Sequence, residues 1–163
     1  MSRNDKVLGE LLKNEYGYFY RLAFGYVRNE TDAQDIIQES AYKAIYHSDR
    51  LKHPEFAKTW LSRIVINEAV SFLRKQKNRE MPLDFLEETA AAENTVGRDS
   101  RESTMDLREA IRQLAPEEQT VIILRFFEDM KLEEIAEICE ESVNTIKSRL
   151  YRTLKKLKLD LEA

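Results

Sequence analysis

The segment LEEIAEICEESVNTIKSRLYRTLKKLK, residues 132–158, predicts two helices joined by a tight turn. The first helix covers residues 132–138, the turn is Cys139-Glu140-Glu141, and Ser142 is a suitable N-cap for the second helix. In the second helix the apolar residues share one side, as expected of a helix that rests on a small core. This arrangement is typical of a helix-turn-helix. The apolar side comprises Val143, Ile146, Leu150, Thr153, Leu154 and Leu157.

Charge is divided sharply within the same part of the chain. Residues 105–141 carry 11 acidic and 4 basic side chains, whereas residues 142–158 carry 6 basic and no acidic ones. The face opposite the apolar side is therefore cationic and rich in hydrogen-bonding groups, which suits an approach to phosphates. A solvated amphipathic helix is the simpler alternative. The preceding helix, the turn and the exclusion of acidic residues together favour a nucleic-acid surface.

Composition favours helices and an intracellular protein. The chain has 163 residues, a formal net charge of −4, 42% hydrophobic residues and only four glycines and three prolines. No stretch approaches the roughly 18 apolar residues of a membrane span, and no signal-peptide pattern is present, so we expect a cytoplasmic location. The one cysteine, Cys139, excludes an internal disulfide and a cysteine-rich zinc site, and we expect it to pack under the turn.

Charge and periodicity together predict two small helical domains and a connecting segment. Residues 1–80 carry a net charge of +3, residues 81–104 carry −4 and residues 105–163 carry −3. Apolar periodicity lapses in the middle segment, which predicts a flexible acidic linker that reaches about 80 Å when fully extended. The predicted fold class is therefore all-α, with two small helical domains, of which the second is a helix-turn-helix domain.

Three helices are predicted in the first domain. Apolar spacing predicts a long helix over residues 6–27. A second helix is expected over residues 32–47, started by a capping box of Thr31 and Gln34. A third is expected over residues 54–78, and because it is apolar over most of its circumference it should lie at the centre of its domain.

One stripe of this third helix remains polar. The stripe comprises Thr59, Arg63, Asn67, Ser71 and Arg74, at intervals of three or four residues. The basic residues at the end of the helix are favoured by the helix dipole whatever their role. A polar stripe on an otherwise buried helix, by contrast, indicates a surface that meets a polar partner.

Three groups of residues carry a resemblance to a known family. They are DAQDIIQESAYKA at residues 32–44, FAKTWLSRI at residues 56–64 with Asn67, and in the last third LAPEEQ at 114–119, EIAE at 134–137 and TIKSRLYR at 145–152. In this order, and over nearly the whole chain, they resemble the extracytoplasmic-function class of bacterial sigma factors, the compact branch of the sigma-70 group. The chain departs from the usual pattern at three positions. Glu140 stands where the turn commonly has Gly or Asn, Ser71 where many relatives carry Asp, and Ala115 in place of a first proline.

The resemblance implies a non-catalytic specificity subunit that brings RNA polymerase to promoters. The first domain would bind the clamp helices of the largest polymerase subunit through Asp32, Asp35, Gln38 and Glu39. It would also open and read the minus-ten element as a single strand, with loop residues 48–58 forming a pocket for an extruded base. The residues implied in minus-ten binding are Lys58, Arg63, Asn67, Ser71 and Arg74.

The second domain would, by the same resemblance, dock on the polymerase flap and on the duplex minus-thirty-five element. The second helix of the helix-turn-helix would enter the major groove. Its implied DNA-binding residues are Asn144, Thr145, Lys147, Ser148, Arg149 and Arg152. Members of this family are commonly held inactive by an anti-sigma factor, often membrane-anchored, so we expect such a partner as well.

Enzymatic functions fit the sequence poorly. The glycines occur singly, so no phosphate-binding loop is present, and His47 and His53 lack the spacing of a metal site. We therefore expect no catalytic residue, no metal, no cofactor and no small-molecule substrate. Two other functions stay open at this point: a free-standing dimeric helix-turn-helix regulator, although no heptad seam is evident, and a helical adaptor that never touches DNA.

Overall fold

The computed structural model describes residues 2–80 and 107–162, and all regular elements in these two ranges are helical. The predicted all-α fold class is confirmed. The acidic linker predicted for residues 81–104 lies outside the described residues. The first described range, called the N-terminal unit below, contains α1 (Arg3–Asn14), α2 (Tyr16–Val27), α3 (Glu30–Tyr46), two 3-10 turns (Ser48–Arg50 and Pro54–Phe56) and α4 (Ala57–Glu80).

The single long helix predicted over residues 6–27 is wrong, because the chain forms two helices there. The backbone of Glu15, at φ −113° and ψ 22°, leaves the helical region and separates α1 from α2. Apolar spacing continues on both sides of this residue, so periodicity alone did not reveal the break. Helix α1 begins with a capping box, in which Ser2 Oγ accepts from the Asp5 N–H and Asp5 Oδ2 accepts from the Ser2 N–H, both at 3.1 Å.

Helix α3 begins two residues before the predicted start. Arg28 closes α2 in a left-handed conformation, and Asn29 then caps α3 by accepting from the Asp32 N–H at 3.0 Å. The predicted capping box of Thr31 and Gln34 is therefore wrong. Asn29 lies two residues before Thr31 and caps an earlier N–H, that of Asp32, and Asn is among the strongest N-cap residues.

Helices α2, α3 and α4 pack around the core of the N-terminal unit. Phe19, Leu22, Ile36, Leu61 and Val65 are almost fully buried, and each such side chain contributes about 1.5–3 kcal/mol relative to an exposed one. The predicted central position of the third helix, α4, is confirmed, since α4 packs on both α2 and α3.

The C-terminal unit contains α5 (Leu107–Arg112), α6 (Pro116–Ile122), a π-helical turn (Ile123–Phe127), α7 (Leu132–Cys139) and α8 (Val143–Glu162). Pro116 starts α6 at a position where no N–H is needed, and the Glu118 carboxylate accepts from the Ala115 N–H at 2.9 Å. The π-helical turn, α7 and α8 enclose a core of Ile123, Leu124, Ile135, Ile146 and Thr153.

The two units are docked against each other. The buried Tyr26 hydroxyl of α2 donates to Thr120 Oγ1 of α6, because Thr120 already donates to the Pro116 carbonyl. Gly25 packs so closely on the π-helical turn that an added Cβ would lie 3.0 Å from Ile123 Cγ2. Helix α4 also packs on α7. The sequence showed the two units but not this contact between them.

Candidate functional site

Helices α7 and α8 form the predicted helix-turn-helix. Helix α7 ends at Cys139, and Glu140 adopts the left-handed conformation at φ 57° and ψ 42°. The Glu141 N–H then donates back to the Ala136 carbonyl at 3.0 Å, which closes the turn. Ser142 Oγ accepts from the Thr145 N–H at 3.1 Å, so the predicted N-cap of the second helix is confirmed. The sharp turn fixes how α8 leaves α7.

Helix α8 presents most of its predicted DNA-binding residues to solvent. Asn144, Lys147, Ser148 and Arg152 are exposed, opposite buried Ile146, Leu150, Thr153 and Leu157. Two residues of the predicted apolar side, Val143 and Leu154, lie at its margin and are exposed. Arg149 points differently from the others, because its half-buried side chain turns back towards Glu141, with Nη2 3.7 Å from Oε1.

The polar stripe of α4 faces the C-terminal unit. Arg63 donates from Nε to the Ile138 carbonyl at 2.9 Å and from Nη2 to the Glu137 carbonyl at 2.5 Å. Farther along α4, Asn67 and Arg74 are exposed and Ser71 is half-buried. Together with Arg149 of α8, residues 63, 67 and 74 line a groove of about 340 Å³ between the units.

Lys58, the remaining predicted DNA-binding residue of α4, lies apart from this groove. Its ammonium pairs with the Glu15 carboxylate at 3.4 Å and lies 4.3 Å from the centroid of the Tyr18 ring. Ser62 donates to the Lys58 carbonyl, so the Tyr18 hydroxyl donates to Ser62 Oγ at 2.8 Å. Burial raises the pKa of Tyr18 to about 12, which keeps that hydroxyl protonated at neutral pH.

The loop before α4, where the resemblance implies a pocket over residues 48–58, borders a second cleft. The cleft has a volume of about 310 Å³, and residues 50–53, Phe56 and Trp60 line it. Phe56 is half exposed, although its spacing suggested a core position. From α1, the Asn4 amide donates to the Ser48 and Leu51 carbonyls at 2.7 and 2.8 Å, and so fixes the loop. An aromatic wall beside polar groups suits a flat, hydrogen-bonding ligand.

The acidic residues predicted to bind a protein partner share one face of α3. Asp35, Gln38 and Glu39 are exposed and Asp32 is half-buried. Lys43, at the edge of this face, donates to Glu68 of α4 at 2.6 Å, and this hydrogen bond raises the pKa of Lys43. Lys43 is therefore paired with α4, and the face keeps its acidic character.

Two tyrosines extend the acidic face and were missed by the sequence reasoning. Tyr42 and Tyr46 are 66% and 72% exposed and stack on each other, with ring centroids 6.3 Å apart. They follow Asp35 and Gln38 at the spacing of one helical face. Exposed aromatic side chains of this kind are common anchors in protein interfaces. The i, i+4 spacing of two tyrosines outside the apolar stripe was the signal that would have identified them.

Among residues 2–80 and 107–162, no group of three His, Cys, Asp or Glu side chains is placed to hold a metal ion. Burial raises the pKa of the Cys139 thiol, which is half-buried beside the turn, as predicted. Of the helices that the structure describes, none has both the length and the apolar composition to span a bilayer.

Two family models match the chain. The model described as "Sigma-70 region 2" covers residues 11–79, and the one described as "Sigma-70, region 4" covers residues 104–157. The first match therefore includes α2, α3 and α4 up to residue 79, and the second includes α7, the turn and α8 up to Leu157.

Comparison with known proteins gives the same picture. The chain is 45% identical over 143 residues to the RNA polymerase sigma factor SigV of Bacillus subtilis, covering 88% of this chain and 84% of the relative. It is 28% identical over 157 residues to the ECF RNA polymerase sigma factor SigW of the same organism, covering 87% and 82%. The fold resembles that of sigma factor RpoE, solved in complex with the anti-sigma factor NepR from Bartonella quintana. That likeness has a TM-score of 0.62 at 21% identity and covers 95% of this chain and 96% of the solved one.

Proposed function

The chain belongs to the extracytoplasmic-function branch of the sigma-70 family and is an RNA polymerase sigma factor, and from this we propose how its two units select a promoter. One observation carries the proposal: the chain presents two polar surfaces of different shape, one on each unit. Helix α8 projects Asn144, Lys147, Ser148 and Arg152 from a helix-turn-helix, whereas α4 and its preceding loop offer a polar stripe beside an aromatic cleft.

We assign duplex recognition to residues 105–163. In this proposal α8 enters the major groove at the minus-thirty-five element, with Lys147 and Arg152 on phosphates and Asn144, Thr145 and Ser148 near base edges. Because the cap at Ser142 fixes the first turn of α8, the polar residues near its N-terminus are presented at a defined angle. Arg149 joins them when it is released from Glu141.

We assign capture of the unpaired minus-ten strand to residues 1–80. An extruded base would enter the 310 Å³ cleft and stack on Phe56 or Trp60, while Asn67 and the basic residues of α4 follow the strand. Unpairing costs a few kcal/mol, so strand capture favours the sequences that melt most easily. Residues 81–104 would connect the two units as a tether.

We assign the remaining partners to protein surfaces of both units, beginning with the exposed face of α3. Asp32, Asp35, Gln38 and Glu39, extended by the two stacked tyrosines, would bind the clamp helices of the largest polymerase subunit. The C-terminal unit would bind the polymerase flap. Core polymerase then performs the chemistry, and this chain, itself non-catalytic, supplies recognition in the cytoplasm. An anti-sigma factor, membrane-anchored in many family members, would compete for the same surfaces. RpoE, whose fold this chain resembles, was itself solved in complex with the anti-sigma factor NepR.

Reconstituted transcription tests the proposal. Purified core polymerase, a library of promoter fragments and the protein should give specific run-off transcripts that are absent when the protein is omitted. The matched variants are Asp35→Lys, on the proposed polymerase face, and Glu10→Lys, which makes the same charge change at an exposed position of α1. Only the first should abolish the transcripts. Unchanged transcription with the protein would favour an adaptor, and two-fold binding to palindromes without polymerase would favour a dimeric regulator.

A further inference from the structure

The turn of the helix-turn-helix contacts a basic residue of the other unit. Arg63 of α4 donates to the carbonyls of Glu137 and Ile138 at the end of α7, and its Nε lies 3.4 Å from Glu140 Oε1. A helix C-terminus carries partial negative charge on its free carbonyls, so a guanidinium is well placed there. The arginine therefore meets two carbonyl oxygens and one carboxylate, a set of acceptors that resembles a phosphate group.

Glu140 makes this contact from an unfavourable backbone conformation. Its φ of 57° lies in the left-handed region, which Gly or Asn adopts more readily than Glu. A Gly or Asn at this position would close the turn with less backbone strain. The Glu140 carboxylate instead lies 3.4 Å from Arg63 Nε.

The same turn also holds a basic residue of its own unit. Glu141, the next residue, pairs with Arg149 of α8 at 3.7 Å, and the Arg149 side chain is only 18% exposed. Arg63 and Arg149 thus lie on either side of the 340 Å³ groove, each turned to an acidic residue of the turn. Both belong to the residues assigned above to promoter DNA, one on each unit.

We propose that the turn Glu140-Glu141 acts as an internal phosphate mimic. Glu140 helps to close the two units on each other and withholds Arg63 from DNA until the units separate, whereas Glu141 withholds Arg149 within its own unit. The contacts of Tyr26 with Thr120 and of Gly25 with Ile123 dock the units independently of these charges. The acidic turn therefore adjusts the balance between closed and open forms. The closed state itself is independent of the proposed function, whereas its consequence for promoter binding rests on that function.

The first measurement uses no DNA, so that it tests only the contact of Glu140 with Arg63, called the latch below. Donor and acceptor dyes are attached through Glu10→Cys and Lys155→Cys, both exposed positions, in a Cys139→Ser background. Single-molecule energy transfer then reports the ratio of open to closed molecules. Glu140→Gln should raise this ratio about two- to five-fold, the range expected for loss of one partly exposed ion pair. Raising the salt concentration should open the parent protein more than the variant.

Two further variants separate loss of the latch from loss of one negative charge and from poor folding. Glu133→Gln removes the same charge from an exposed position of α7 and should leave the ratio unchanged. Glu140→Asn relieves the left-handed conformation while removing the carboxylate, so it should open the units even if the glutamine variant folds poorly. Equal energy transfer in the parent and both Glu140 variants would overturn the proposal, as would equal opening by Glu133→Gln.

A second measurement tests the consequence for DNA. Free protein without polymerase is titrated with minus-thirty-five duplex and with single-stranded minus-ten oligonucleotide. Because Arg63 is assigned to the minus-ten strand, Glu140→Gln should bind the single-stranded oligonucleotide about two- to five-fold more tightly than Glu133→Gln, which has the same net charge. Binding of the duplex should be the same for the two variants, since most of the DNA-binding residues of α8 are exposed in the closed form. Opening without any gain in DNA binding would retain the latch and reject its role in promoter recognition. Tighter DNA binding with no change in energy transfer would reject the latch.

Discussion

Docking of the two units through Tyr26 and Thr120 makes a quantitative prediction. Tyr26 and Thr120 are 3% and 6% exposed, and the tyrosine hydroxyl donates to Thr120 Oγ1 across the interface. Tyr26→Phe removes this hydrogen bond but leaves Thr120 bonded to the Pro116 carbonyl, so it should cost about 0.5–1.5 kcal/mol of unfolding free energy. Thr120→Val leaves the buried tyrosine hydroxyl without its partner and should cost about 1–3 kcal/mol.

The double variant isolates the contact itself. Once Tyr26 is Phe, Thr120→Val no longer leaves a buried hydroxyl without a partner. The loss of unfolding free energy in the double variant should therefore be about 1 kcal/mol smaller than the sum of the two single-variant losses. Urea unfolding followed by the fluorescence of the single tryptophan, Trp60, and by circular dichroism measures each free energy. Tyr18→Phe is the control, since Tyr18 lies on the same helix but bonds Ser62 within its own unit. The loss of unfolding free energy caused by Tyr18→Phe should simply add to that caused by Thr120→Val. A Tyr26–Thr120 coupling below about 0.3 kcal/mol would refute the docked arrangement.

Four further predictions concern single residues. Arg152→Ala should weaken duplex binding and shallow its salt dependence by about one unit of slope, because one phosphate contact is lost. Asp35→Lys should abolish association with core polymerase in a pull-down while the circular dichroism spectrum is retained, since the side chain is exposed. Ser142→Ala should cost about 1 kcal/mol in thermal unfolding through loss of the N-cap. Burial raises the pKa of Glu128 against the opposing effect of Arg21. The protonated carboxyl therefore adds stability to the fold at low pH, and this contribution is lost as the pH rises through the folded-state pKa. Glu128→Gln should remove that fall in unfolding free energy from a pH titration of stability.

Each of these has a result that would contradict it. An unchanged salt slope would place Arg152 away from the phosphates, and Lys13→Ala, an exposed change on α1, supplies the baseline. Retained polymerase association by Asp35→Lys would show that the face of α3 is assigned wrongly. A loss below about 0.3 kcal/mol at Ser142 would mean that water replaces the cap. An undiminished pH slope in the Glu128 variant would assign it to another group.

Local sequence signals predicted most of the helices and the helix-turn-helix. The start of α8 at Ser142 and the buried positions Ile146, Leu150 and Leu157 follow from a cap residue and a 3.6-residue period, both local properties. The break at Glu15 was missed for the same reason, since apolar spacing is insensitive to one residue that leaves the helical conformation. Asn29 was missed because a second, weaker capping pattern followed it.

The sequence predicted the residue types of the candidate surfaces better than their surroundings. Charge segregation identified α8 as cationic, and the polar stripe identified Arg63 and Asn67 on α4. Neither signal indicates which carbonyls Arg63 meets, because those belong to residues more than seventy positions away in the chain. Docking of the units depends on shape at Gly25 and Ile123, and periodicity records which residues are apolar but not which surfaces fit together.

Site-specific cross-linking in an initiating complex tests whether the two units read two different parts of a promoter. A photoreactive residue is placed at Ser71 of α4 in one protein and at Ser148 of α8 in another, each assembled with core polymerase on a promoter fragment. The position in α4 should cross-link to the unpaired strand of the minus-ten element, and the position in α8 to duplex DNA about two helical turns upstream. Cross-linking of neither position to DNA upstream of the start site would contradict promoter recognition by this chain.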